Sequence, residues 1–190
     1  PARLTPSNRL KRTNLPPPRT SFVGRQGEIA ELEQLLKQAP ALVTLTGPGG
    51  TGKTRLALET GWHMLDRLPG GAWFADLTEA RNVEGVAYAV AQALRVPLTT
   101  HEAPESAVAG ILEARGQALL ILDNFEQVVQ AAEKTAGLWA RRAPALRILI
   151  TSRALLGLEG ERSIELKPLS VPPRAAALKP AELEKFDAVQ

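Results

Sequence analysis

Gly47-Pro48-Gly49-Gly50-Thr51-Gly52-Lys53-Thr54, GPGGTGKT, is the stretch that decides how this chain is read. It satisfies G-x-x-x-x-G-K-[ST] at every fixed position. It also stands between an apolar run, Ala41 to Thr46, and a segment that carries Leu56, Ala57 and Met64 at helical spacing. Glycines let the backbone turn its amides inward around phosphate oxygens, and the helix that follows adds the positive end of its dipole. Lys53 supplies a mobile cation for the β and γ phosphates, and the Thr54 hydroxyl is suited to coordinate Mg²⁺. The candidate nucleotide-binding set is therefore Gly47, Pro48, Gly49, Gly50, Thr51, Gly52, Lys53, Thr54 and the adjoining Arg55. A chance glycine-rich turn before a lysine explains the letters but not their place between a strand and a helix.

A Mg²⁺-nucleotide site needs a carboxylate at the end of a neighbouring strand, and LLILD at 119–123 ends in one. Asp123 is the candidate, with Thr54 as the second metal ligand. The next residue is Asn124, where many fast ATPases place a glutamate, and an amide orients water without taking its proton. Slow hydrolysis is expected. Glu126 is the nearest acid downstream and reads as opening a helix, where a carboxylate complements the dipole. Thr151-Ser152-Arg153 closes the apolar run RILI, and ligands meet an open α/β sheet at the carboxyl ends of its strands. Arg153 is thus placed to read the γ-phosphate by charge-assisted hydrogen bonding, the alternative being a solvated loop cation. Lys53, Asp123 and Arg153 form the candidate catalytic set.

Working outward, apolar spacing predicts helices over 28–37, from near Gly52, over 83–95, 105–115 and 126–141, alternating with strands at 41–46, 71–76, 118–123, 147–151 and 163–166. Alternation of this kind implies a parallel sheet covered on both faces. The expected fold class is α/β, a three-layer P-loop NTPase with a five-stranded parallel sheet in the order 5-1-4-3-2. Residues 1–20, with Pro16, Pro17 and Pro18 in sequence, read as a Pro/Arg-rich linker, 21–167 as the nucleotide-binding domain, and 168–190 as a linker with the start of a helix at 181–189.

Composition narrows the function classes. The 190 residues are 44% hydrophobic and 23% charged, as in ordinary globular proteins. No run approaches the length of a membrane-spanning helix. With Cys 0 there is no disulfide framework and no thiolate chemistry, which fits a cytoplasmic protein whose metal ligands are oxygens. The net charge of +3 is small, and many cations lie in Arg3, Arg9, Lys11, Arg12 and Arg19. Without interleaved aromatics, this arm reads as a solvated linker rather than a nucleic-acid contact.

Four segments, LPPPRTSFVGRQGEIAELEQLL, VTLTGPGGTGKTRLALE, LLILDNFEQV and RILITSRALLGLEGE, resemble the STAND signal-transduction NTPases. Within that class they are similar to the AP-ATPase or NB-ARC-like modules of bacterial LuxR-, AfsR- and SARP-type regulators. The likeness spans residues 15–161 in the family's order. It implies adenine nucleotides, ATP and ADP, with Val23, Gly24 and Arg25 over the adenine and ribose side, Lys53 and Thr54 on phosphates and Mg²⁺, Asp123 as the Walker B acid and Arg153 as the sensor arginine. It also implies a switch in which ADP holds a resting form, ATP releases a self-associating one and slow hydrolysis resets it. The family's helical lid, winged helix with its ADP-sensing histidine, and sensor repeats lie outside these residues as partner domains. His63 and His101 do not match that histidine and read as surface residues. The rival classes are a small-molecule kinase built on the same loop, which lacks an acceptor signature here, and a DNA-binding module using the basic arm. No direct nucleic-acid or membrane binding is expected from this segment.

Overall fold

The computed structural model describes residues 11–17, 24–37, 39–98 and 101–168. Val23, and the helix expected at 181–189, lie outside the described residues. Five strands, β1 (Ala41–Thr46), β2 (Gly71–Asp76), β3 (Ala118–Asp123), β4 (Arg147–Thr151) and β5 (Glu161–Glu165), form one sheet in the order β2-β3-β4-β1-β5. Every pairing is parallel. The expected order 5-1-4-3-2 is this order read from the other edge.

Burial on both faces follows from the strand sequences. All six residues of β3, ALLILD, are buried; Leu120 and Leu122 enter one core layer, Leu119 and Ile121 the other. The first layer is closed by α3 (Val83–Leu94), α4 (Pro104–Arg115) and the segment from Phe125 to Ala143. The second is closed by α1 (Gln26–Leu35) and α2 (Lys53–Met64). Local signals set the helix ends. The Asn82 side chain accepts the Gly85 amide at 2.8 Å to cap α3, and Pro104 occupies the first turn of α4, where its missing N–H costs nothing.

The helix expected over 126–141 is not continuous. Short 3₁₀ turns at Phe125–Gln127 and Val129–Ala131 and a π turn at Glu133–Gly137 precede α5 (Leu138–Arg142). Val128 breaks it by leaving helical geometry (φ −139°, ψ 35°), and Asn124, just ahead of it, is left-handed (φ 60°, ψ 40°). Phe125, Val128, Ala131, Ala132, Thr135, Ala136 and Trp139 are nevertheless all buried. Their three-to-four-residue spacing keeps one face inward although the backbone is not one helix.

Residues 11–17, expected within an extended linker, begin with a helical Lys11 and a turn at Arg12, and the segment is docked. Thr13 pairs in parallel with Ala72 on the outer edge of β2. The Asn14 side chain accepts the Phe74 amide at 2.7 Å and donates to the Phe74 carbonyl at 2.7 Å, standing in for a strand residue. Leu15 is buried in the α1–α2 layer, and Trp62 Nε1 donates to the Pro16 carbonyl at 2.9 Å. An otherwise open sheet edge is covered by this segment.

Candidate functional site

Parallel strands deliver their carboxyl ends to one rim of the sheet, and the chemistry-bearing residues gather there. After β1 the chain turns through Gly47 (φ 142°), Gly50 (φ 78°) and Gly52 (φ 88°) into α2. Gly47 has no alternative at its position. A Cβ there would stand 2.5 Å from the Leu166 carbonyl oxygen, so the loop rests directly on the chain leaving β5. The Thr51 hydroxyl donates to the Pro48 carbonyl at 3.0 Å and braces the loop from inside. Lys53 Nζ lies in the same turn, donating to the carbonyls of Gly47 (2.8 Å) and Pro48 (2.9 Å). Pro48, Gly49 and Gly50 are exposed along the loop, and Arg55 is exposed in the first turn of α2.

Thr54 faces β3. Its hydroxyl lies 2.8 Å from Asp123 Oδ1 and 3.1 Å from Oδ2, and the Thr151 hydroxyl at the end of β4 donates to the same Oδ1. Asp123 is 3% exposed. Burial pushes its carboxyl above the ordinary carboxylate range. The bonds from Thr151 and Thr54 pull the other way, and the negative charges of Asp76 and Glu126 add to the rise. The hydroxyl of Thr54 and the carboxylate of Asp123 are hard oxygen donors of the kind Mg²⁺ takes. Among the described residues no group of three or more acids or histidines has metal-holding geometry, so Mg²⁺ here requires further oxygens from a phosphate ligand and water.

Two further groups reach this rim. Arg153 Nε pairs with Glu126 Oε1 at 3.2 Å, and its guanidinium lies 3.9 Å from where a Gly49 Cβ would stand, so Arg153 reaches across to the loop. Glu126 Oε2 is buried without a hydrogen-bond partner. Arg25, left-handed at φ 59° beside Gly24 at φ 77°, sends its guanidinium to Glu28 (3.2 Å), the Thr51 carbonyl (3.2 Å) and the Lys167 carbonyl (2.8 Å). It ties the loop to the segment after β5. Lys53, Thr54, Asp123 and Arg153 thus converge, with Gly24 and Arg25 on the loop's flank.

Three residues of the rim were missed in the sequence: Thr151, Asp76 and Thr78. Asp76 ends β2 in register with Asp123. Its Oδ1 accepts the Thr78 amide (2.9 Å), the Thr78 hydroxyl (2.6 Å) and Asn124 Nδ2 (3.0 Å). Its burial alone raises the carboxyl, but these bonds from Thr78 and Asn124 outweigh that and hold it below the ordinary range. The available signal was that GAWFAD and ALLILD, two apolar runs of equal length, both end in aspartate.

The family profile described as AAA ATPase domain matches residues 21–159. A Mycobacterium tuberculosis protein named only as uncharacterized is 35% identical over 152 residues, 80% of this chain and 38% of that protein. Another from the same organism, named provisionally as an HTH-type transcriptional regulator, is 31% identical over 137 residues, 72% of this chain and 15% of its own length. The chain thus spans well under half of either relative. In structure it is similar to the Pyrococcus horikoshii STAND protein with a tetratricopeptide repeat sensor, with TM-score 0.56 and 20% identity over 84% of this chain and 25% of that one, which speaks to the fold. Among the described residues no helix is long and apolar enough to cross a membrane.

Proposed function

The chain belongs to the AAA ATPase domain family, and on that premise we propose that it is the ATP/ADP switch core of a signal-transduction or transcriptional regulator, with slow Mg²⁺-dependent hydrolysis. One observation carries this reading. The Thr54 hydroxyl and the Asp123 carboxylate meet at 2.8 Å at the mouth of the loop that holds Lys53, while Arg153 reaches the same loop from β4. The similarity to a provisionally named HTH-type regulator and the STAND fold likeness support the regulatory setting.

In this reading the loop amides from Gly49 to Lys53 and the α2 N-terminus receive the phosphates. Lys53 exchanges its two carbonyl partners for phosphate oxygens. Thr54 and Asp123 would hold Mg²⁺, which would supply charge neutralisation at the phosphates. Arg153 distinguishes ATP from ADP because only ATP offers a γ-phosphate to displace Glu126 from its guanidinium. Asn124 follows Asp123 where an acid would speed hydrolysis, so a bound ATP persists. Gly24 and Arg25, with Val23, are assigned to the base side; because Arg25 is engaged with Glu28 and the carbonyls of Thr51 and Lys167, its contribution there is to hold the loop. The test is titration with ADP and ATP in Mg²⁺, followed by phosphate release on the same sample. Binding with slow release is expected; rapid release, or release only on adding an acceptor, contradicts the switch.

A further inference from the structure

Asn124 cannot act as a base, yet its side chain reaches three others on the rim. Its Nδ2 lies 3.0 Å from Asp76 Oδ1, 3.0 Å from Thr78 Oγ1 and 3.2 Å from Asp123 Oδ2. Its own amide donates to Thr151 Oγ1 at 3.1 Å, fixing it in left-handed geometry. A side-chain amide has two hydrogens, so it bridges the carboxylate beside the metal position to a second carboxylate on the next strand. An aspartate or glutamate at 124 would instead set a third anion against Asp76 and Asp123.

We propose that Asp76 is the catalytic carboxylate of the slow hydrolysis and that Asn124 is its positioning residue. This rests on the nucleotide-binding reading above. Three observations carry it. Asp76 stands level with Asp123 in the β2–β3 register, at the ligand-facing ends of the strands. Its Oδ1 takes the three donors from Thr78 and Asn124, and no donor among the described residues bonds Oδ2. The residue is exposed, so Oδ2 meets water while its orientation is fixed from the other oxygen. In the step assigned to it, a water oxygen bonds to the terminal phosphorus as the bond from that phosphorus to the bridging oxygen breaks, and the electron pair leaves with ADP. The water's proton passes to Asp76 Oδ2 and from there to solvent. Asp76 lies one strand further from the phosphate loop than Asp123, about 4.8 Å, which accounts for slow rather than fast turnover.

Asp76→Asn keeps an acceptor at Oδ1 for Thr78 and Asn124 and removes only the proton acceptor, so it isolates the role. The experiment compares wild type, Asp76→Asn and Asn124→Ala for ATP and ADP affinity, Tm, phosphate release and the identity of nucleotide retained after incubation with ATP. For Asp76→Asn the expectation is turnover lower by about 100-fold, unchanged affinities, a slightly lower Tm because Thr78 and Asn124 favour the ionised carboxyl, and retained ATP where wild type retains ADP. Asn124→Ala is expected to lower turnover with affinities unchanged. Unaltered turnover in Asp76→Asn overturns the proposal. So does a parallel fall in Tm and both affinities, which would make Asp76 a turn-holding residue. A wild type that binds ATP but never hydrolyses it also overturns it, leaving the binding reading intact, whereas a wild type that binds neither nucleotide overturns both.

Discussion

The Thr54 and Thr151 hydroxyls converge on one oxygen, Oδ1 of Asp123, one from the first turn of α2 and one from the end of β4. Two donors and deep burial hold this carboxylate in place, and the same burial works against its charge. Because its folded pKa is raised, Asp123 adds stability below its ordinary pKa, and that stability is lost as pH rises through the raised value. Asp123→Asn, which keeps an acceptor for both threonines, is therefore expected to melt higher than wild type at neutral pH without nucleotide, with the gap closing on acidification. Thermal scans across pH check this; a variant that melts lower at every pH contradicts it. The same variant should lose Mg²⁺-dependent nucleotide binding.

Because the protein offers only Thr54 and Asp123 as metal ligands in this reading, Mg²⁺ alone should leave Tm unchanged while Mg²⁺ with ADP raises it. At a ligand concentration 100 times Kd the gain is about 2.7 kcal/mol. A Tm rise with Mg²⁺ alone would point to a metal site built by protein groups.

Arg153 is shared between Glu126 and the loop. Arg153→Ala should weaken ATP more than ADP, and Glu126→Gln should strengthen ATP relative to ADP by releasing the guanidinium. Isothermal titration of both variants checks the pair; equal effects on the two nucleotides contradict a γ-phosphate role.

Leu15 is 5% exposed in the layer beneath α1 and α2, beyond what an extended linker would show. Leu15→Ala should cost about 2–3 kcal/mol, seen as a lower urea midpoint. A change within a few tenths would mean that residues 11–17 do not hold the β2 edge in solution.

The sequence carried the sheet almost completely, because each strand of this parallel sheet is a short apolar run and each connection a periodic segment. GPGGTGKT placed the loop, since its glycines have a backbone reason to be there; Gly47 against Leu166 is one. What was not legible depends on meetings between distant residues. Arg25 is tied to Thr51 and Lys167. Asp76 gains meaning only from lying in register with Asp123. The break at Val128 is a backbone event inside a pattern whose apolar spacing still fits a helix. Leu15 sits beside three prolines that conceal its docking.

The central claim, that GPGGTGKT binds the phosphates of an adenine nucleotide, is tested most directly by titrating wild type and Lys53→Ala with ADP in the presence of Mg²⁺, with Tm measured on the same samples. Among the described residues the Lys53 ammonium bonds only to the loop carbonyls of Gly47 and Pro48, so its removal should leave the fold standing. The account predicts saturable ADP binding by wild type, none detectable in Lys53→Ala, and matching Tm values without nucleotide. Unchanged ADP affinity in the folded variant would contradict it.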